Sequence, residues 1–79
     1  MKLPRNLSGL ELANVLCRRW GYLRIHQTGS HIILQTDQPS SHRISVPNHD
    51  ELRIGTLNSI LRSVAEHKGI SRQSILDSL

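Results

Sequence analysis

The period of the apolar residues changes twice along this chain, and that constrains the fold more than any other feature. Ala13, Leu16, Cys17 and Trp20 recur at i, i+3, i+4 and i+7, the spacing of one helical face. From Tyr22 to Val46 the spacing falls to two. Leu23 and Ile25 alternate with Arg24 and His26, and Ile32, Leu34 and Thr36 alternate with His31, Ile33 and Gln35. Ile44 and Val46 alternate within Arg43–Val46, which Pro47 closes. Helical spacing then returns with Leu57, Ile60, Leu61, Val64 and Ala65. A helix, three short strands and a second helix are the expected order.

Local signals punctuate this order. Ser8 and Glu11 form a capping box, with Leu7 and Leu12 as its hydrophobic staple, and Gly21 stops the helix. Thr28-Gly29-Ser30 supplies a hairpin turn, with Gly29 expected at positive φ. A polar turn over Asp37–Ser41 and a loop from Asn48 to Gly55 complete the connections. Gly69 ends the long helix, and Ser71 caps a short final one whose Ile70 staples onto Ile75. The result is a two-layer α+β fold, a three-stranded antiparallel sheet with helices on one face and the other face open. Chains of this length bury only about 60% of their unfolded surface, so one domain spanning residues 1–79 is expected.

Composition narrows the function. Ten Lys and Arg against six Asp and Glu leave a net charge of +4, which favours polyanions through counterion release. The same charge also serves plain solubility. Trp20 and Tyr22 are the only aromatics, too few for a platform that stacks successive bases. The lone Cys17 excludes an internal disulfide and sits on the apolar stripe as a core residue. No apolar run approaches the ~20 residues of a membrane span. The basic opening Met1-Lys2-Leu3-Pro4-Arg5 lacks a following apolar core, so a cytoplasmic location is expected.

Five histidines are many for 79 residues. A metal site would need two or three together at fixed spacing, and no helical His pair or neighbouring acidic cluster provides it. No metal and no cofactor are expected. His67, near a helix end, reads as a partner for the helix dipole on a solvated face. His31 follows a Gly-Ser turn and points to the uncovered sheet face. An imidazole ordinarily titrates near pH 6.5 and can exchange protons at neutrality. RNA carries its own nucleophile, the 2′-hydroxyl, so an acid-base group with nearby cations suffices to cleave it. Taken alone, Gly29-Ser30-His31 leaves open an ordinary solvated turn histidine.

Three segments in register alter that. Gly29-Ser30-His31-Ile32, Arg43-Ile44-Ser45-Val46-Pro47-Asn48-His49 and Gly55-Thr56-Leu57-Asn58-Ser59-Ile60-Leu61-Arg62 resemble the HicA toxin family in sequence and order. Gly69-Ile70-Ser71-Arg72 to Leu79 resembles an extension that many longer members carry. The resemblance implies a fold like the double-stranded-RNA-binding domain, α-β-β-β-α, with an extra C-terminal helix. It also implies a metal-independent ribonuclease that cuts mRNA and is neutralised by a HicB-type antitoxin. The family's catalytic histidine falls on His31, with Gly29 and Ser30 presenting it, and His49 matches a position after the third strand. Many members have Lys or Arg where this chain has Thr28, and a histidine or aromatic at Ile32. His26 or Arg24 would then stand in for the missing cation. Arg24, His26, Thr28, Gly29, Ser30, Arg43, His49 and Arg53 are the expected RNA contacts. A non-catalytic RNA-binding module and a degenerate toxin serving only as antitoxin partner remain alternatives.

Overall fold

A computed structural model describes residues 3–4 and 6–79; Met1, Lys2 and Arg5 of the basic opening lie outside the described residues. The first helix, α1 (Gly9–Arg19), begins where its cap predicts. The Ser8 hydroxyl accepts from the Glu11 N–H at 3.0 Å, and Glu11 reaches back to the Ser8 N–H at 3.3 Å. Gly21, at φ +75°, turns the chain out of the helix, and the Tyr22 N–H returns to the Leu16 carbonyl. Three strands follow: β1 (Leu23–Gln27), β2 (His31–Thr36) and β3 (His42–Pro47). They pair antiparallel in the order β1-β2-β3. The long helix α2 (Ile54–Lys68) ends at Gly69 in the left-handed region, and α3 (Arg72–Asp77) is capped by Ser71. The chain is thus an α+β fold with the α-β-β-β-α layout and one further helix.

The two long helices cover one sheet face. Leu12, Leu16, Ile32, Leu34, Val46, Leu57, Leu61 and Val64 meet there with no exposed surface. Alternation along β2 and β3 is as expected: Ile32, Leu34, Ile44 and Val46 point inward, and His31, Arg43 and Ser45 lie exposed on the other face. Trp20 ties α1 to the final helix through Nε1–H donated to Ser78 Oγ at 3.1 Å. Arg72 ties that helix to α2 through Asn58. Cys17 is half-buried at the core edge, where burial pushes its thiol up despite the opposing pull of Arg24. No helix of the described residues is long and apolar enough to cross a membrane.

Two sequence expectations need correction. Strand β1 does not alternate cleanly, because a bulge lies between Arg24 and His26. One extra residue reverses the facing of everything beyond it. Arg24 pairs with Leu34 on the helix side, whereas His26 pairs with Ile33 on the open side, so the two do not share a face. Leu23 and Ile25 are both exposed. An inward charge and a bulge on an edge strand also discourage pairing with other chains. Gly29 is the second correction: it is not among the glycines at positive φ. Thr28 closes the turn instead.

Gly9 is the glycine that packing requires. A Cβ there would collide with the Pro47 carbonyl, whereas one on Gly29 would meet nothing within 4 Å. Gly9→Ala should therefore cost about 1–3 kcal/mol as an overpacked contact. In a domain of this size that lowers Tm by roughly 4–8 °C per kcal/mol. Gly29→Ala should stay within about 0.5 kcal/mol of wild type. Thermal unfolding of both variants checks this; equal losses would show that the close approach at Gly9 does not matter.

Candidate active site

The turn end of the β1–β2 hairpin brings Thr28, Gly29, Ser30 and His31 together. Thr28 N–H donates to the His31 carbonyl at 2.9 Å, closing the turn from one side. From the other side the Thr28 hydroxyl accepts from the N–H groups of His31 at 3.0 Å and Ser30 at 3.3 Å. A short hydroxyl side chain folding back on its own turn does what a carbonyl does elsewhere. The Ser30 carbonyl accepts from the Asn48 N–H at 2.9 Å, which fastens the turn to the exit of β3. His31 opens β2 opposite Pro47, exposed, and its Nδ1 lies 3.0 Å from Ser30 Oγ.

His26 belongs to the same surface. Its partner across the ladder is Ile33, two residues from His31 on the same face. Such diagonal neighbours stand about 7–8 Å apart. His49 is exposed, and its carbonyl accepts from the Gly9 N–H at 2.9 Å. That bond satisfies a helix-start donor that has no partner within the helix. Arg43 shares the open face, yet four strand positions separate Pro47, opposite His31, from Arg43, about 13 Å at ~3.3 Å per residue. Its guanidinium donates twice to Gln35 Oε1, at 2.9 and 3.1 Å. Arg53 is the exposed N-cap residue of α2, beside a groove also lined by Asn6, Glu51 and Ile54. Arg24 leaves the group altogether: on the helix side, its Nη2 donates to Asn14 Oδ1 at 2.8 Å. Among the described residues, no three His, Cys, Asp or Glu side chains gather as a metal site would require.

A second polar cluster escaped the sequence reading. Beside the C-terminal half of α2, His42 Nδ1 meets the Tyr22 hydroxyl at 2.8 Å and His42 Nε2 meets Ser63 Oγ at 3.2 Å. The His67 ring stacks on His42 with centroids 4.3 Å apart, and its Nε2 lies 2.9 Å from the Ser40 carbonyl. Lys68 donates to Thr36 Oγ1 and the Gln38 carbonyl, with its ammonium 5.2 Å from the Tyr22 ring centre. His67 lies in the last turn of α2, where a dipole partner is expected, but it is half-buried rather than solvated, and with Lys68 it clamps the β2–β3 turn to the end of α2. The signal was present, since His42 extends the inward alternation of Ile44 and Val46. His67 likewise follows Ile60 and Val64 at helical spacing.

The protein-family model described as "HicA toxin of bacterial toxin-antitoxin" matches residues 11–65, well over half of the chain. The match runs from α1 through α2 and takes in the hairpin turn and the β3 exit; α3 lies beyond it. A small α+β domain with a histidine presented on an uncovered sheet face is the class of protein that fold and site define. This chain belongs to the HicA toxin family of bacterial toxin-antitoxin systems. No curated protein and no solved structure matches it.

This half-buried cluster predicts a pH dependence at both ends. Burial, the His67 ring and Lys68 all hold the His42 pKa below its ordinary 6.5. Folding then favours neutral His42, so its contribution is full above about pH 6.5 and is lost as pH falls toward the lowered value. Burial pushes the Tyr22 phenol up from 10 to about 12. Its contribution is full below pH 10 and declines as pH rises toward about 12. Denaturant midpoints measured across pH should show both declines, and His42→Gln should flatten the acid one. An unchanged acid slope in that variant would remove His42 as its cause.

Proposed function

We propose that this toxin is a metal-independent endoribonuclease that cuts mRNA with His31 as its acid-base group. The observation that carries the reading is the placement of His31. It is exposed at the start of β2, on the sheet face opposite the helices, in a turn fixed by Thr28 and Ser30. A substrate strand can therefore reach the imidazole without any rearrangement of the core. Uncharged Nε2 takes the proton of an RNA 2′-hydroxyl as the 2′-oxygen bonds to the adjacent phosphorus. The bond from phosphorus to the 5′-oxygen breaks, and the imidazolium returns the proton to that oxygen. The products are a 2′,3′-cyclic phosphate and a 5′-hydroxyl, with atoms and charge balanced and no co-reactant consumed.

Binding rests on the charge of the chain, +4 at neutral pH, and on groups sharing the open face. His26 lies beside His31, and Arg43 stands further along the sheet, placed for a different phosphate of the same strand. Gly29 adds no side chain to the turn and has open space beside it, so a phosphate can approach its backbone closely. His49 and Arg53 flank the connection from β3 to α2 and extend the basic surface. The toxin-antitoxin family implies an antitoxin partner. We take it to be of the HicB type, acting by covering the face that carries His31. An mRNA target places the protein in the cytoplasm.

Purified protein incubated with RNA in EDTA should produce fragments ending in 2′,3′-cyclic phosphate. His31→Ala should slow this by about 10²- to 10⁴-fold, the usual worth of a general acid-base group, while retaining the wild-type Tm. Arg43→Ala should weaken RNA binding and reduce the salt slope by about 1, as a phosphate contact does. Full activity in the His31 variant would overturn the assignment, and RNA retained uncut by wild type would favour the non-catalytic module.

A further inference from the structure

Thr28 occupies a position where a cation would be an obvious aid to RNA cleavage, yet the side chain present is neutral and fully engaged. Its hydroxyl accepts two backbone N–H groups, those of Ser30 and His31, and lies 3.4 Å from the His31 carbonyl. A lysine or arginine could not replace it, because neither carries an acceptor. Residue 30 is held from both sides, by Thr28 through its N–H and by Asn48 through its carbonyl. Ser30 Oγ, so fixed, lies 3.0 Å from His31 Nδ1 and 3.5 Å from Thr28 Oγ1. An exposed imidazole would otherwise sample several rotamers and both tautomers.

We propose that Thr28 and Ser30 are positioning residues which hold the His31 ring by Nδ1–H and leave the Nε2 lone pair facing the substrate. Ser30 Oγ accepts from Nδ1–H, while Thr28 Oγ1, its two lone pairs taken by the Ser30 and His31 N–H groups, fixes the backbone that carries both residues. This arrangement suits a ring that takes up a proton and then gives it back, because Nδ1–H stays bonded to Ser30 throughout and only Nε2 changes. An imidazolium needs both nitrogens as donors, and a serine oxygen accepts from Nδ1 equally in the neutral and charged ring. A hydroxyl does this without the fixed negative charge of a carboxylate, which would sit against the phosphates of a bound strand. The chemical meaning of the arrangement rests on the ribonuclease reading; the geometry of the ring does not.

The test is the tautomer of His31 in the full-length, ¹⁵N-labelled protein, read by long-range ¹H–¹⁵N correlation at a pH where imidazoles are neutral. Wild-type His31 should carry its proton on Nδ1, and the exposed His49 ring serves as an internal comparison. Ser30→Ala should shift His31 toward the Nε2–H form while leaving His49 unchanged. Thr28→Val should move it the same way, and Thr28→Ser should restore the wild-type pattern. In single-turnover cleavage at saturating RNA, Ser30→Ala should slow the chemical step by up to about a hundredfold. A wild-type His31 protonated on Nε2, or a tautomer indifferent to Ser30→Ala, overturns the proposal even if His31 proves essential. Conversely, a tautomer that follows Ser30 in a protein that never cuts RNA leaves the positioning intact and removes the ribonuclease reading. Should Thr28→Val fail to fold, Ser30→Ala, which removes only an exposed hydroxyl, still decides the matter.

Discussion

The close approach of Gly9 to the end of β3 is the constraint on which the rest of the molecule depends. With no Cβ in the way, the first turn of α1 lies against the Pro47 carbonyl, and the Gly9 N–H bonds to His49. One residue earlier along the connection, the Asn48 N–H bonds to Ser30, and further along the Leu52 N–H bonds to Leu7. Four parts of the chain therefore meet at one short segment: the helix start, the strand exit, the hairpin turn and the lead into α2. The hydrophobic core decides that helices cover the sheet, but this junction decides where the hairpin turn that carries His31 stands relative to them. A domain this small has little buried surface to spare, and backbone hydrogen bonds at such a crossing carry much of its definition.

The sheet has a polar group at each end, and their environments differ in kind. At the hairpin end, Thr28, Ser30 and His31 are exposed, so the imidazole is open to a substrate. At the opposite end His42, Tyr22, Ser63, His67, Thr36 and Lys68 are engaged with one another and with the β2–β3 turn at the side of α2, mostly half-buried. The first group leaves a histidine exposed; the second engages two in hydrogen bonds and a ring stack. Of five histidines, the fold thus leaves His31 open for the proposed chemistry and builds His42 and His67 into the architecture.

Much of this could be read from residue order, and the exceptions have physical causes. The capping box at Ser8 and Glu11, the alternation of β2 and the open-face placement of His31 follow from local rules, and tertiary context left them intact. The facing of Arg24 did not follow, because a bulge is set by how β1 meets β2 and α1, and alternation cannot reveal an extra residue. Gly29 suggested positive φ from its place in the turn, but the Thr28 hydroxyl supplied the closure that a left-handed glycine would otherwise give. Thr28 itself was legible only as a missing charge. Its two accepted hydrogen bonds depend on backbone geometry that the residue type alone does not specify. The His42–His67 stack joins residues 25 positions apart, beyond the reach of periodicity along one element.

The central claim is that the exposed His31 imidazole moves the proton of an RNA 2′-hydroxyl. Its most direct test is cleavage of an oligoribonucleotide in EDTA, compared with the same strand carrying a single 2′-deoxy residue at the scission point. The account predicts scission of the first, and binding without scission at that position for the second. Cutting of the deoxy-substituted bond at an equal rate would contradict it, because no 2′-hydroxyl would then be available for His31 to deprotonate.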